Sequence, residues 1–518
     1  MIGAGVNGLA SAIHLATKGW SVCVIEAAET AGGAVRTAEI TLPGFRHDIA
    51  AMNLSMFAGS PFFRRYGEDL FREGLELIAV DRPFASVFRD GTHLGVSTDL
   101  DETTSAIAAF SPQDAIAWRN MRDEFRRDAP HIFALLGAPL PSLEAGRALL
   151  RAWRAIGVRG LLRVARLVVS SPRGFVARRF REEKLHVALA AWGMHLDFPP
   201  DVAGGALFPF LESMASQDFG MSIGRGGADT IIHAMTALLR RKGGTLVLGQ
   251  RVTEIELDER GRAAGVVLSD GRRFAAKKAV VANLHPRQLF GALLPRAALS
   301  DPFRQKVASF RSGPGTMMIH LAMNRPLEWA AGPALGTYAY VHVAPSLQAM
   351  AATYTEAMAG LLPAEPMLVV GQPSIFDSTR APDGKHVLWI QVRVVPAAIR
   401  GDVLAEIDAC SWEEARAPFT ERVLDLLERY APGVRRHILA HSTLTPSDLE
   451  RSNPNLVGGD SLGGSHHLDQ NFFFRPFPGY SRYRTPLPRL YMCGASTWPG
   501  AGTGAGSGFI LGRMLSGA

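Results

Sequence analysis

The sequence predicts an α/β fold of two lobes, in which a parallel sheet flanked by helices is interrupted by an inserted domain that is partly helical and partly mixed sheet. Three observations predict this fold. The chain opens on a strand, a glycine-rich turn and a helix, and it closes on the same three elements at residues 490–515. Its 518 residues are 47% hydrophobic and include 53 glycines, a composition that suits a large α/β core.

The opening turn has the glycine spacing of a dinucleotide-binding motif. Gly3 permits the tight turn, Gly5 allows the backbone to approach a pyrophosphate, and Gly8 allows the following helix to pack closely on the sheet. A second strand ends at Glu26, whose carboxylate can accept hydrogen bonds from ribose hydroxyls and would repel a 2′-phosphate. The motif leaves both NAD and FAD open. We predict that the dinucleotide contacts Gly3, Gly5, Val6, Asn7, Gly8, Glu26 and Ala27.

The strand ahead of the opening turn is expected to be short. Only Met1 and Ile2 precede Gly3, whereas a β-strand usually spans about five or six residues. The central strand of the parallel sheet is therefore predicted to be either stunted or missing its beginning.

The C-terminal segment favours FAD over NAD. Residues 490–497 are predicted to form a buried strand that ends in small side chains, and residues 499–508 a glycine-rich turn that leads into a helix. The N-terminus of such a helix can stabilise the anionic edge of a reduced flavin, and a dehydrogenase that uses only NAD needs no such late contact. We predict further cofactor contacts at Gly494, Ala495, Pro499, Gly500, Thr503, Gly504 and Ala505.

The elements between the two ends divide the chain into two domains. Residues 61–219 are mainly helical, and residues 291–439 alternate between strands and helices. The strands predicted at residues 317–323, 367–372 and 387–395 would form the sheet floor of a substrate domain. The substrate domain is therefore predicted to comprise residues 61–219 and 291–439, and the nucleotide-binding domain residues 1–60, 220–290 and 440–518.

Cysteine usage and hydropathy exclude several classes of protein. The three cysteines, Cys23, Cys410 and Cys493, are too few and too scattered for a disulfide framework or a cysteine-rich metal site. The chain contains no run of eighteen apolar residues, and Met1 leads directly into the nucleotide motif. We therefore expect neither a transmembrane helix nor a signal peptide, and we predict a cytoplasmic protein without a metal site.

One segment carries the excess of positive charge. Residues 147–181 contain ten arginines and no acidic residue, whereas the rest of the chain has 45 basic and 48 acidic side chains. We predict an amphipathic segment that brings the protein to an anionic membrane surface; the alternative is a solvated helix of the substrate domain. Nucleic acid is disfavoured as a partner, because no aromatic platform accompanies the charge. The predicted apolar stripe comprises Trp153, Ile156, Val164, Leu167 and Val168.

These features together resemble the FAD-dependent phytoene desaturase-like flavoproteins, which include carotenoid desaturases and desaturase-type carotene ketolases, over nearly the whole chain. The likeness includes the loop at residues 44–48. Two later blocks, residues 373–386 and 468–476, are similar to the ketolase-like and mitochondrial-type branch. The resemblance implies a Rossmann-like FAD-binding domain of the glutathione-reductase and amine-oxidase type. It also implies FAD contacts at Gly32, Gly33, Ala34, Met52 and Val252.

Three features depart from the pattern of these relatives: Ala34, Trp498 and residues 504–508, which replace the usual end of the relatives. Ala34 replaces the arginine that many amine-oxidase-fold relatives use near the pyrophosphate, and Trp498 stands where relatives usually have a histidine before Pro-Gly. Because the loop around Trp498 should flank the flavin, this departure leaves room for a substrate other than a carotenoid.

Three residues are candidates for catalysis. Trp498, at the mouth of the flavin-binding turn, is expected to project over the ring system; core packing is the alternative role for its indole. His195, at the edge of the helical segment, and His320, on the strand at residues 317–323, are candidate bases. For both histidines the alternative is a hydrogen-bonded structural role.

The resemblance implies an FAD-dependent dehydrogenase or desaturase that transfers a hydride from a lipophilic small molecule to flavin N5. We expect non-covalent FAD, since no cysteine or histidine stands in an evident flavin-linking position. Two alternatives are an oxygen-using flavin oxidase of an amine or alcohol, and a flavin-binding, membrane-associated interaction protein with little catalysis. The sequence leaves the substrate, the electron acceptor and the oligomeric state open.

Overall fold

The computed structural model describes residues 1–517, which form helices and strands throughout. The helices are α1 (Val6–Thr17), α2 (Ser55–Ala58), α3 (Pro61–Arg72), α4 (Leu100–Ala108), α5 (Pro112–Leu136), α6 (Leu143–Val169), α7 (Pro172–Ala177), α8 (Glu183–Ala190), α9 (Leu207–Phe219), α10 (Thr230–Arg241), α11 (Pro286–Ala292), α12 (Asp301–Ala308), α13 (Leu347–Met358), α14 (Trp412–Tyr430), α15 (Pro446–Ser452) and α16 (Gly506–Ser516). The strands are β1 (Cys23–Ile25), β2 (Thr37–Ala38), β3 (His47–Asp48), β4 (Leu77–Val80), β5 (Phe84–Val87), β6 (His93–Val96), β7 (Met221–Gly224), β8 (Thr245–Val247), β9 (Val252–Leu257), β10 (Ala263–Leu268), β11 (Arg273–Ala275), β12 (Val280–Ala282), β13 (Gly315–Met323), β14 (Tyr340–Val343), β15 (Leu361–Leu362), β16 (Met367–Gly371), β17 (His386–Val395), β18 (Gly401–Asp402), β19 (Ile438–Leu444) and β20 (Leu490–Met492).

A parallel sheet forms the base of the first lobe. The strand β1 pairs with β8 on one side and with Ile2 on the other, and Ile2 in turn pairs with β12, which pairs with β20. Ile2 donates its N–H to the Val281 carbonyl oxygen at 2.8 Å, and Gly3 donates to that of Ile25, also at 2.8 Å. The short first strand is therefore the centre of the sheet, although it contributes a single residue to the pairing.

The second lobe rests on a seven-stranded mixed sheet with the order β19-β13-β17-β16-β14-β5-β6. Neighbouring strands are antiparallel except β5 and β14, which are parallel. The strands β13, β16 and β17 agree with the three strands predicted for the sheet floor. One face packs on α14, where Ile319, Ile390 and Phe419 belong to one buried cluster. The other face is available to line a site.

The stretch at residues 61–219 contains strands as well as the predicted helices. It contains β4, β5 and β6, and the pairing of β5 with β14 joins this stretch to residues 291–439. All four residues of β5 are buried. A strand that is buried on both faces lacks the alternation of apolar and polar residues by which a half-buried strand is recognised, and this strand was therefore missed.

Two helices of the first lobe meet at a glycine. A Cβ atom on Gly508 of α16 would lie 1.7 Å from the carbonyl oxygen of Asn7 in α1. The Gly508 N–H also donates to Asn7 Oδ1 at 3.1 Å. A Cβ atom on Gly8 would likewise lie 2.2 Å from the Gly3 carbonyl oxygen. The contact between α1 and α16 therefore requires glycine at Gly508, and the contact of α1 with the opening turn requires glycine at Gly8.

A buried ion cluster joins the lobes. The Arg380 side chain donates to Asp48 and Asp377, each at 2.9 Å, and all three side chains are fully buried. The two carboxylates also accept backbone N–H groups, Asp48 from Ala228 at 2.7 Å and Asp377 from Gly226 at 2.6 Å. Charge-assisted hydrogen bonds away from water are strong and directional. The cluster therefore fixes the substrate sheet against the loops of the first lobe.

The basic segment differs from the predicted amphipathic helix. Gly157 has φ 64° and ψ −177°, which divides α6 into two helices. Leu167 is buried and Val164 packs against the same core, so this part of the predicted stripe faces the protein. Other apolar side chains of α6 are exposed: Leu143, Leu149, Leu150, Trp153, Val158, Leu162 and Val169. None of the helices within residues 1–517 is long and apolar enough to cross a membrane.

We expect Gly508→Ala to lower the free energy of unfolding by about 2 kcal/mol or more, because the added methyl group forces α1 and α16 apart. Thermal denaturation measures this change. Gly146→Ala is the control: a Cβ atom on this α6 residue meets no atom within 4 Å, so the substitution should stabilise the helix by about 0.5–1 kcal/mol. Equal melting temperatures of Gly508→Ala and the wild type would contradict the packing argument.

Candidate functional site

A cavity of about 650 Å³ is lined by residues of both lobes. Protein sites for small molecules and cofactors typically have volumes of about 300–1,000 Å³. One half of the cavity is formed by the glycine-rich turns of the first lobe. The other half, which we call the inner chamber, is lined by Trp192, Leu196, Phe208, Tyr340 and Trp389.

The first half of the cavity begins at the opening turn. Gly3 has φ +89°, a conformation that favours glycine. The Glu26 carboxylate accepts N–H groups from Ala4 at 2.7 Å and Ala28 at 3.0 Å, which orients it at the end of β1. A carboxylate has further lone pairs for ribose hydroxyls.

Most of the residues predicted to contact the cofactor line this cavity. Five do not: Gly8 lies beneath the turn, and Pro499, Gly500, Gly504 and Ala505 lie behind the residues of the terminal turn that face the cavity. Those that line it are Gly3, Gly5, Val6, Asn7, Glu26, Ala27, Gly32, Gly33, Ala34, Met52, Val252, Gly494, Ala495 and Thr503. Their contacts with FAD stay a prediction.

An arginine that the sequence analysis missed also lines the first half. Arg36 lies two residues after Ala34, and Ala34 is the position at which many relatives carry arginine. Its Nε is buried and has no hydrogen-bond partner among the described residues. An unpaired guanidinium N–H beside glycine-rich turns suits a phosphate oxygen. Together with Glu26 and the turn at Gly5, this donor set fits the ribose and pyrophosphate of a dinucleotide such as FAD.

The inner chamber has an aromatic wall on the substrate sheet. The rings of Tyr340 and Trp389 are stacked, with centroids 5.5 Å apart and planes at 9°. Gly371 pairs with both residues in the sheet and lies between them. A Cβ atom on Gly371 would lie 2.8 Å from Met52 Sδ. The glycine therefore allows a side chain of the first lobe to approach the wall of the chamber.

Two charged residues line the inner chamber, and sequence reasoning missed both. Glu212 lies on α9, and burial raises the pKa of its carboxyl to about 7. Arg393 lies on β17 on the same face as Trp389 and Gln391, because successive residues of a strand alternate between faces. The available signal was a single charge inside an otherwise apolar stretch: Glu212 follows Phe210 and Leu211, and Arg393 stands between valines.

His195 lines the inner chamber as a neutral hydrogen-bonded residue. Its Nδ1 lies 3.3 Å from Nη2 of Arg393, and its Nε2 lies 3.2 Å from Nε2 of His342. Since arginine can only donate, Nδ1 of His195 accepts and Nε2 carries the proton. Burial, then the charge of Arg393, lowers the pKa of His195 well below its ordinary value. Both ring nitrogens lie near a partner in this arrangement, and the role of His195 as a base stays a prediction.

Trp498 and His320 are corrected as catalytic candidates, because neither lines the cavity. The Trp498 indole is 2% exposed, and its Nε1 donates to the Ala138 carbonyl oxygen at 2.9 Å. The connection that follows α5 covers this indole, a contact between residues distant in sequence. His320 is fully buried with its ring centroid 5.4 Å from that of His47, and burial lowers its pKa to about 3.

We expect Glu26→Ala to weaken FAD binding by about 1.5–3 kcal/mol, the value of a charge-assisted hydrogen bond. Titration of the apoprotein with FAD, followed by flavin fluorescence, measures the dissociation constant. Glu29→Ala removes an exposed carboxylate that does not line the cavity, so its affinity should match the wild type. An unchanged dissociation constant in Glu26→Ala would remove this carboxylate from the site.

Comparisons with known proteins agree with this geometry. The family described as flavin containing amine oxidoreductase matches residues 7–506. The chain is 28% identical over 543 residues to pyridine nucleotide-disulfide oxidoreductase domain-containing protein 2 of Mus musculus, covering 98% of this chain and 91% of that protein. It is 27% identical over 516 residues to phytoene desaturase (neurosporene-forming) of Cereibacter sphaeroides, covering 97% and 91% of the two chains.

The fold is shared with solved structures of oxidoreductases. An oxidoreductase from Methanosarcina mazei superposes with a TM-score of 0.63 at 18% identity, covering 98% of each chain. These findings confirm the predicted fold class, the phytoene desaturase-like resemblance, the enzyme class and FAD as the cofactor. The chain is a member of the flavin-containing amine oxidoreductase family.

Proposed function

We propose that this protein is an FAD-dependent dehydrogenase or desaturase that oxidises a lipophilic small molecule by hydride transfer to flavin N5. The observation that carries the proposal is the continuity of one cavity from the glycine-rich turns to the aromatic inner chamber. Bound FAD supplies the oxidising chemistry, because its N5 accepts a hydride. A relative named for acting on phytoene supports a lipophilic substrate.

The residues of the inner chamber have two functions in this proposal. Trp192, Phe208, Tyr340 and Trp389 bind an apolar body and exclude water from it. Glu212 accepts the proton that leaves the substrate, because a carboxyl with a pKa of about 7 is substantially deprotonated at neutral pH and still basic.

We expect lipophilic donors to reduce the flavin of the holoenzyme when oxygen is excluded. A polyene, a terpenoid alcohol, an aliphatic amine and a fatty acid are mixed with the protein, and loss of flavin absorbance is followed. Reoxidation by a quinone rather than by air indicates a dehydrogenase, and reoxidation by air an oxidase. A flavin that light reduces but none of these donors reduces would contradict the proposal and favour an interaction protein.

We expect Glu212→Gln to slow flavin reduction about 100-fold, within the range of general base catalysis. The wild-type rate should rise as pH passes through about 7, because the deprotonated carboxylate is the active form. The variant should show no such rise. Glu68→Gln, at an exposed position of α3, is the control and should keep the wild-type profile. The same pH profile in Glu212→Gln would assign the proton to another group.

We also propose that α6 contacts an anionic membrane surface, where a lipophilic substrate dissolves. Exposed apolar side chains such as Leu149, Trp153 and Leu162 support this proposal, because they stand beside exposed arginines. Three arginines of the basic segment are instead engaged within the protein: Arg163 with Asp128, Arg173 with Asp201 and Arg179 with Glu124.

We expect the protein to co-sediment with anionic vesicles more than with neutral ones, and less as salt is added. Replacing Arg151, Arg154 and Arg159 with glutamine should reduce binding, since each basic residue near such a surface contributes about 1 kcal/mol. Replacing the exposed Arg240, Arg287 and Arg296 is the control for net charge. Equal recovery of both triple variants, or equal binding to both vesicles, would leave α6 as an ordinary surface.

A further inference from the structure

The described residues contain three buried arginines, and two of them are satisfied within the protein. Arg380 has two carboxylate partners, each at 2.9 Å. Arg475 donates to five backbone carbonyl oxygens, those of Leu462, Gly463, Gly464, Ser465 and Ala495. A buried guanidinium normally needs such partners, because an unpaired charge away from water is costly.

Arg393 is the third, and it lacks comparable partners. Its side chain is about nine-tenths buried and lines the inner chamber. The two polar atoms near it are Ser461 Oγ at 3.4 Å and His195 Nδ1 at 3.3 Å, both long for a hydrogen bond. Its Nε has no acceptor, and no carboxylate within residues 1–517 lies within 4.0 Å of the guanidinium.

The surroundings of Arg393 keep its guanidinium charged and do not neutralise that charge. Burial lowers the pKa of Arg393 to about 10, so the guanidinium stays protonated at neutral pH. His195 cannot neutralise it, because it is uncharged and its other nitrogen is engaged by His342. Asp460, a buried carboxylate, already accepts three backbone N–H groups, from Gly313, Leu462 and Gly464. The charge therefore remains available to a ligand.

A second unsatisfied donor belongs to the same wall. Trp389 lies four residues before Arg393 on the same face of β17, and its indole Nε1 has no acceptor among the described residues. The apolar rings and the positive charge together describe a ligand with an apolar body and one anionic, acceptor-rich end. A guanidinium matches a carboxylate in particular, since its planar fork can form two parallel hydrogen bonds.

We propose that Arg393 binds a carboxylate of the substrate, and hence that the natural substrate is a lipophilic carboxylic acid rather than a neutral hydrocarbon. The inference rests on the proposed function only in taking the inner chamber as the substrate site. His195 is the nearest side chain to the guanidinium, with its Nδ1 3.3 Å from Nη2 of Arg393. Glu212, the other charged side chain of the chamber, does not form an ion pair with Arg393 within the described chain.

Binding to the holoenzyme tests the proposal without requiring turnover. Phenylacetate and hexanoate are compared with phenylacetamide and hexanamide, which have the same shape but no charge, by calorimetry and by the shift of the flavin absorbance band. We expect each acid to bind at least about tenfold more tightly than its amide, the effect of one charge-assisted hydrogen bond pair. Equal affinities of acid and amide in the wild type would overturn the proposal.

Variants locate the charge responsible. Arg393→Met should abolish the preference for the acid and retain FAD, whereas Arg287→Gln, which removes the same charge from an exposed position of α11, should keep the preference. The proposal would be overturned if Arg393→Met still preferred the acids, or if Arg287→Gln lost the preference for the acids equally. Loss of FAD from Arg393→Met would also overturn it, because the guanidinium would then belong to the cofactor site. If Arg393→Met does not fold, Arg393→Lys keeps the charge but not the planar fork, and it should weaken the acids and not the amides.

The result is separable from the test of the proposed function. Reduction of the flavin by neutral lipophiles, together with equal binding of acids and amides, would contradict the carboxylate site and leave the dehydrogenase intact. Preferential binding of acids without any flavin reduction would contradict the proposed dehydrogenase and leave the carboxylate site intact.

Discussion

The buried ion cluster of Arg380, Asp48 and Asp377 is the constraint on which the site depends. Asp48 belongs to the first lobe, whereas Asp377 and Arg380 lie between β16 and β17 of the substrate sheet. The cluster therefore fixes the distance between the glycine-rich turns and the inner chamber. Each carboxylate also accepts a backbone N–H of the loop that leads into α10. Removing one member would leave a buried charge without its partner, at a cost of about 3–5 kcal/mol.

The three buried arginines show how one residue type serves different purposes. Arg380 joins lobes through carboxylates, and Arg475 organises a loop by donating to consecutive carbonyl oxygens. The hydrogen-bond donors of both side chains have partners within the protein, and both charges therefore stabilise the fold. Arg393 has two contacts that are long for hydrogen bonds, and its Nε has no acceptor. The stability that an unpaired charge costs the fold is recovered only when a ligand arrives, which is typical of residues retained for binding.

Local spacing was sufficient to predict the segments that line the first half of the cavity. The opening turn at Gly3 and Gly5, the acid at Glu26 and the turn before α16 are short segments whose chemistry follows from consecutive residues. The same reasoning assigned Trp498 and His320 wrongly, because the direction of a side chain depends on what packs against it. The Trp498 indole donates to Ala138, more than three hundred residues away in the chain. No pattern near Trp498 contains that contact.

The sequence by itself determined the fold class, the dinucleotide end of the cavity and the cofactor, because glycine spacing, strand ends and helix starts are properties of neighbouring residues. The tertiary structure alone brought together the polar residues of the inner chamber. Glu212 comes from α9, Arg393 from β17 and His195 from the segment between α8 and α9, and Arg393 lies far from the other two in the sequence. Burial shifts the pKa of Glu212 and leaves the Nε of Arg393 without an acceptor, and burial is set by the pairing of distant strands and helices.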